Sequence, residues 1–167
     1  MMPYYGVDAH TYVQKHGHLC EQKGINMCMN VSLGLFYIHA KGLVYGDLKL
    51  ENVCVRNGDT NEPVIVDMGS CHRHKPTITL ETASPEALRG EHVTYKHDIW
   101  TLGVFFMELT TSCVVNPNKV RNERPDWYRG PEASMDFLRS HHLFASCTTF
   151  DRNRRICNFF NLKIIIT

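Results

Sequence analysis

The chain has 167 residues, enough for one ordinary domain that buries about two-thirds of its unfolded surface. With 43% hydrophobic and 21% charged residues, and 18 Lys and Arg against 17 Asp and Glu, the composition points to a soluble globular protein. It argues against disorder and against a strongly electrostatic nucleic-acid binder. Ten histidines are scattered without a metal-type run, and seven cysteines, an odd number with no C-x-x-C pair, exclude a disulfide framework and a structural zinc site. Reduced thiols in an intracellular protein, cytoplasmic or nuclear, are the simpler reading. The opening MMPYYGVDAH lacks the basic and apolar regions of a signal peptide. The longest apolar run, Ile99 to Leu109, is too short for a bilayer that needs about 20 residues.

In chain order, the first expected element is one long amphipathic helix from Glu21 to Lys41. Ile25, Cys28, Met29, Leu33, Leu35, Phe36 and Ile38 recur at helical spacing there, and Gly42 stands where a C-terminal cap belongs. Two short apolar runs, Glu51 to Arg56 and Pro63 to Val66, flank Asn57-Gly58-Asp59 and read as a β-hairpin-like pair, the only convincing strands. Gly69 to Arg89 has no clear period and reads as a long ordered loop, of the kind usually kept for function. After Asp98, read as an N-cap, IWTLGVFFMELTT is apolar on nearly every face, the pattern of a central helix enclosed by protein. Asn116 to Pro131 reads as an exposed connection, with further helices near Ala133 to Ser140 and Asp151 to Phe160. The terminal LKIIIT is a β-branched run that needs cover.

Chemistry concentrates between the long helix and the first strand. YGDLKLEN puts Asp47, Lys49 and Asn52 on one tight loop, and Asp67-Met68-Gly69 follows the second strand. A carboxylate for a hydroxyl proton, a cation and oxygen ligands for magnesium are what phosphoryl transfer requires. Cys71-His72-Arg73-His74-Lys75 has adjacent side chains, the wrong spacing for zinc, and reads as an exposed basic loop.

On these residues the chain resembles the catalytic lobe of eukaryotic-type protein kinases. HRDLKxxN corresponds to Tyr45 through Asn52, DFG to Asp67-Met68-Gly69, and APE to Ser84-Pro85-Glu86. Asp98 to Gly103 is similar to the DxWxxG helix, and Asp151 with Arg155 to the late D-x-x-x-R element. The resemblance implies a mainly α C-terminal lobe, a helical bundle around a buried central helix with one small β-hairpin at the catalytic loop. It makes 1–167 a partial kinase domain with a hinge, a catalytic loop at 45–52 and an activation segment at 67–86. It also implies ATP and Mg²⁺ as cofactors and a protein Ser or Thr hydroxyl as acceptor. Asp47 would be the base, Lys49 would neutralise the γ-phosphate, and Asn52 with Asp67 would hold Mg²⁺. Thr79 would bridge base and lysine, and Cys54 would lie under the adenine ring. Glu86 and Arg155 would form a buried ion pair, and Asp98 would brace the catalytic loop. Lys49 two residues after Asp47 is the serine/threonine pattern. The short 67–86 segment, MPYYGVDAHTYV and ETASPEAL resemble serine/threonine kinases of herpesvirus-type large DNA viruses.

Departures from the family pattern are equally specific. No two glycines are separated by a single residue, so the Gly-rich loop of the smaller lobe is missing, as are its strand lysine and helix glutamate, and the chain begins at the hinge-like MMPYYGVD. Gly46 replaces the arginine that pairs with an activation-segment phosphate, and Tyr45 and Met68 replace the usual His and Phe. The alternative function is therefore a catalytically inactive kinase-like module that binds or inhibits another kinase, or a truncated kinase fragment that needs the missing lobe. Neither nucleic acid nor a membrane is an expected partner.

Overall fold

The computed structural model describes residues 5–124, 126–133, 137–138 and 141–155. A short strand, β1 (Val7–Asp8), leads into α1 (Ala9–His16). Asp8 caps this helix by accepting from the Thr11 N–H at 2.8 Å, and Lys15 places a cationic side chain at its negative end. The long helix α2 spans Glu21–Ala40, and Gly42, at φ +73°, lies just beyond it in the left-handed region. Its buried stripe is Gly24, Met27, Cys28, Val31, Leu35 and Ile38, a regular three-to-four spacing. Leu33 and Phe36, expected on that face, are 47% and 46% exposed.

The hairpin is formed by β2 (Val53–Val55) and β3 (Pro63–Ile65), antiparallel with Cys54 opposite Val64. Glu51 and Asn52, expected to begin the strand, belong instead to a 3-10 turn, Leu50–Asn52. A strand the sequence does not announce, β1, pairs with β2, putting Asp8 opposite Cys54. The long loop that follows is ordered. It is bridged to the chain before the catalytic loop by reciprocal 3.0 Å hydrogen bonds between Val44 and His72, and it ends in α3 (Pro85–Leu88). Ser84 caps α3, and Pro85 takes the first helical position, where no N–H is needed.

The central helix, α4 (Tyr95–Thr110), is buried from Lys96 through Met107. Its N-cap is Thr94 rather than Asp98, which lies inside the first turn and leaves its carboxylate for other partners. Gly103 is where α4 meets α6 (His142–Cys147): a Cβ there would stand 2.7 Å from Cys147 Cβ and 2.6 Å from Thr148 Cγ2, so only glycine permits this approach. The region expected to be an exposed connection contributes to the core. It holds α5 (Pro117–Arg121) and β5 (Tyr128–Arg129), which pairs with β4 (Val114–Val115) just before it, and buries Val120 and Trp127. Trp127 packs 5.1 Å from Trp100 and stacks 5.8 Å from Phe144. Of the expected helix at 133–140, Ala133, Phe137 and Leu138 are helical and the others lie outside the described residues. Around Asp151 the described residues form a 3-10 turn, Arg152–Arg154, not the start of a helix, while 156–160 and the LKIIIT ending lie outside them. Cys20, Cys28, Cys54, Cys71 and Cys147 are free thiols, and no helix among the described residues is long and apolar enough to cross a membrane.

Glu86 and Arg155, each 1% exposed, meet in a bidentate ion pair at 2.7 and 3.1 Å. Arg155 also donates to the carbonyls of Lys96 and Thr149, both at 2.9 Å, and lies over the Trp100 ring at 5.2 Å. The pair thus fastens α3 to α4 and to the turn at 152–154. Burial alone would raise the Glu86 carboxyl. The hydrogen bonds and charge of Arg155 more than offset this and hold it below its ordinary 4.5. Because the folded value is depressed, the stabilisation is complete above about pH 4.5 and is lost as pH falls through the folded value. Arg155→Ala should lower the unfolding free energy at pH 7 by about 3–5 kcal/mol in urea titrations, because it strands a buried carboxylate. The gap in urea midpoint between wild type and Glu86→Gln should narrow as pH falls below about 4.5.

Candidate active site

The loop from Tyr45 to Asn52 is held from below by α4. Asp98, fully buried, accepts from the backbone N–H of Tyr45 at 2.9 Å and of Gly46 at 2.8 Å, and its Oδ2 lies 2.7 Å from His39 Nε2. Two buried backbone donors that would otherwise be orphaned are thereby satisfied. Tyr45 is fully buried, and its hydroxyl donates to the Val66 carbonyl at 2.6 Å. Burial, with the charges of Asp47, Cys71, Asp67 and Asp98, pushes that phenol well up, so it stays a donor. Met68, which stands in place of the usual Phe, is 48% exposed.

Four polar side chains converge above this platform. Asp47 Oδ1 accepts from the Thr79 hydroxyl at 2.5 Å, and Asp47 Oδ2 lies 2.9 Å from Asn52 Nδ2 and 3.1 Å from Lys49 Nζ. Lys49 Nζ donates to Thr79 Oγ1 at 2.8 Å, closing the circuit. The Asn52 amide also donates to the Asp47 carbonyl at 2.8 Å, which orients its Oδ1 away from the carboxylate. Asp47 is thus a nearly buried carboxylate, 8% exposed, with its two oxygens fixed by three side chains.

Asp67 is placed through the backbone. Val66 N–H donates to the Asn52 carbonyl at 3.0 Å, so the carboxylate one residue later emerges beside the loop. Asp67 is exposed, left-handed at φ +55°, and accepts from Gly69 N–H at 3.3 Å. Cys54 sits apart from this circuit on the central strand of the small sheet. Burial, then the charge of Asp8, raises its thiol above the ordinary range, which disfavours the reactive thiolate. Glu86, Arg155 and Asp98 lie beneath the loop as framework. The basic run His72 to Lys75 is exposed, and no metal-type cluster occurs among the described residues.

The structure adds groups that motif spacing does not reveal. A groove of about 510 Å³ runs between α1, the catalytic loop and the end of α4, with Lys49, Thr79, Glu51, Glu81 and Glu108 among its walls. Burial, reinforced by the charge of Glu51, pushes the Glu108 carboxyl up to about 7. Its sequence signal is a lone carboxylate near the end of an otherwise apolar helix. His39 and His97, which contact Asp98 and Gly46, carry no local signal at all.

Comparison with known proteins places this geometry. The protein kinase domain family model matches residues 1–155. The chain is 34% identical over 121 residues to the serine/threonine-protein kinase US3 homolog of Gallid herpesvirus 2 (strain GA), covering 66% of this chain and 29% of that protein. It is 32% identical over 112 residues to atypical protein kinase C of Drosophila melanogaster, covering 62% and 18%. It is likewise 32% identical over 114 residues to mitogen-activated protein kinase kinase kinase 18 of Arabidopsis thaliana, covering 64% and 33%. The chain therefore spans a third or less of the length of these relatives. A match over nearly the whole described region, coinciding with the Asp47 circuit and its buried supports, means that this chain belongs to the protein kinase domain family.

Proposed function

We propose that the chain is the catalytic-lobe portion of a serine/threonine protein kinase, which transfers the γ-phosphate of ATP to protein Ser or Thr hydroxyls. The observation that carries this reading is the closed circuit of Asp47, Lys49, Asn52 and Thr79. In it Asp47 accepts and orients the acceptor hydroxyl's proton, held to one rotamer by Asn52 and Thr79. Lys49 brings a cation to the same place, where it stabilises charge on the transferred group. The serine/threonine preference is supported by Lys49 two residues after Asp47 and by the similarity to the herpesvirus serine/threonine-protein kinase.

Asn52 and Asp67 fit a hard cation. Both offer oxygen, the Asn52 amide nitrogen is already engaged with Asp47, and Asp67 is an exposed carboxylate. Bound by these two, Mg²⁺ would neutralise phosphate charge. Cys54, on the sheet beside Asn52, would offer the apolar floor for adenine. A lobe that leaves phosphates open to water lacks part of the positioning and low-dielectric electrostatics of catalysis, so slow turnover is expected of the chain by itself.

The groove favours a cationic substrate side chain, since its carboxylates Glu51, Glu81 and Glu108 lie beside the proposed transfer site. Glu108 ionises as pH rises through about 7, so discrimination for a basic over a neutral peptide should grow between about pH 6 and 8. Glu108→Gln should flatten that pH dependence and raise KM for the basic peptide about tenfold, equivalent to about 1.4 kcal/mol. The central test is transfer of labelled γ-phosphate from MgATP to a basic protein. Asp47→Asn should lower it about 100- to 10,000-fold while circular dichroism stays unchanged. Equal transfer by the two purified proteins overturns the assignment.

A further inference from the structure

His97 is wholly buried in the first turn of α4, with Nε2 3.0 Å from the Gly46 carbonyl and Nδ1 2.9 Å from Ser84 Oγ. The Gly46 carbonyl can only accept, so Nε2 carries the proton. Nδ1 is then an acceptor, and the Ser84 hydroxyl donates to it while accepting from the Ala87 N–H at 3.4 Å. A neutral imidazole satisfies every group. Burial lowers its pKa, against the raising effects of Asp98, the Gly46 carbonyl and Glu86, and Arg155 adds to the lowering. Adjacent residues of α4 therefore hold both peptide groups of Gly46, Asp98 its N–H and His97 its carbonyl.

Gly46 also takes a conformation that suits glycine, φ +86°, and a Cβ there would stand 2.4 Å from Pro76 Cβ and 2.7 Å from the Thr77 carbonyl. The segment following Asp67 thus packs directly on bare backbone, at the position where the family pattern carries an arginine for a phosphate. Its other fastenings, the Val44–His72 bridge, Thr77 N–H to the Ser70 carbonyl at 3.3 Å and Thr79 to Asp47, need no added charge either.

We propose that His97 is a positioning residue that clamps Ser84, at the end of the activation segment, to Gly46 in the catalytic loop. With Pro76 seated on Gly46, the clamp holds residues 67–86 against Asp47 without phosphorylation. The functional meaning rests on the kinase reading above, whereas the clamp itself is a property of the fold. Hydrogen exchange on the phosphatase-treated full chain tests it. Wild type should keep its protection at residues 77–83 after phosphatase. His97→Ala should speed exchange there about tenfold or more, with amides 102–109 of α4 unchanged. His97→Gln, whose side-chain amide can still donate to the Gly46 carbonyl, should restore most of the protection. Loss of protection in wild type on phosphatase treatment overturns the proposal, as does wild-type exchange in His97→Ala. Equal loosening of the segment and of α4 in both variants also overturns it, because it marks a role in filling space. If His97→Ala does not fold, Ser84→Ala decides: it keeps the imidazole and removes its donor, and unchanged exchange at 77–83 defeats the clamp. In phosphotransfer assays His97→Ala should lower kcat about tenfold with KM for the peptide nearly unchanged. Absence of transfer by wild type counts against the kinase reading alone, and the exchange result still decides the clamp.

Discussion

A buried carboxylate is strongly disfavoured unless its charge is met, and the loop that carries Asp47 hangs from one. Asp98 is fully enclosed, and its charge is met by two backbone N–H groups and by His39. Since the acceptor sits on the buried central helix, the loop is tied to α4. Tyr45 and Gly46 cannot shift without uncovering that charge, and Asp47 is the next residue. The backbone position of the proposed base is thus set by a helix more than 50 residues away in sequence, while Asn52 and Thr79 hold its side chain.

The same helix organises the opposite side of the domain. Lys96, His97 and Asp98 are consecutive, and each is buried and hydrogen-bonded to a different piece of chain: the carbonyl of Arg155, the carbonyl of Gly46 with Ser84, and the loop amides. Three polar residues in the first turn of an apolar helix would ordinarily oppose burial. Here each replaces lost water with a matched donor or acceptor, and Glu86 with Arg155 does the same one layer further out. The apolar remainder of α4 packs against α2 and α6, so packing and polar anchoring act at different ends of one rod.

The groove shows how the same framework shapes chemistry. Glu108 belongs to α4 and Glu51 to the loop that α4 supports, so the acidic wall and the proposed transfer site share one rigid origin. Burial that raises the Glu108 carboxyl also makes it responsive near neutral pH, which a solvated glutamate would not be.

What the sequence determined by itself was whatever depends on near neighbours. The period of Glu21–Ala40, the all-apolar helix after Asp98, the hairpin around Asn57-Gly58 and the spacing that brings Asn52 onto Asp47 are all local, and each was legible. The family pattern extended this to distant pairs such as Thr79 with Asp47 and Glu86 with Arg155, which periodicity could not have found. Tertiary structure alone decided the rest. Two-residue strands such as β1, β4 and β5 are too short to alternate, and they exist because a partner strand lies alongside. The cap of α4 moved from Asp98 to Thr94 because the carboxylate had better-placed donors on another segment. Which face of α2 is buried, the environment of Glu108 and the contacts of His97 depend on groups far away in the chain, and such pairings leave no mark on the residues next to them.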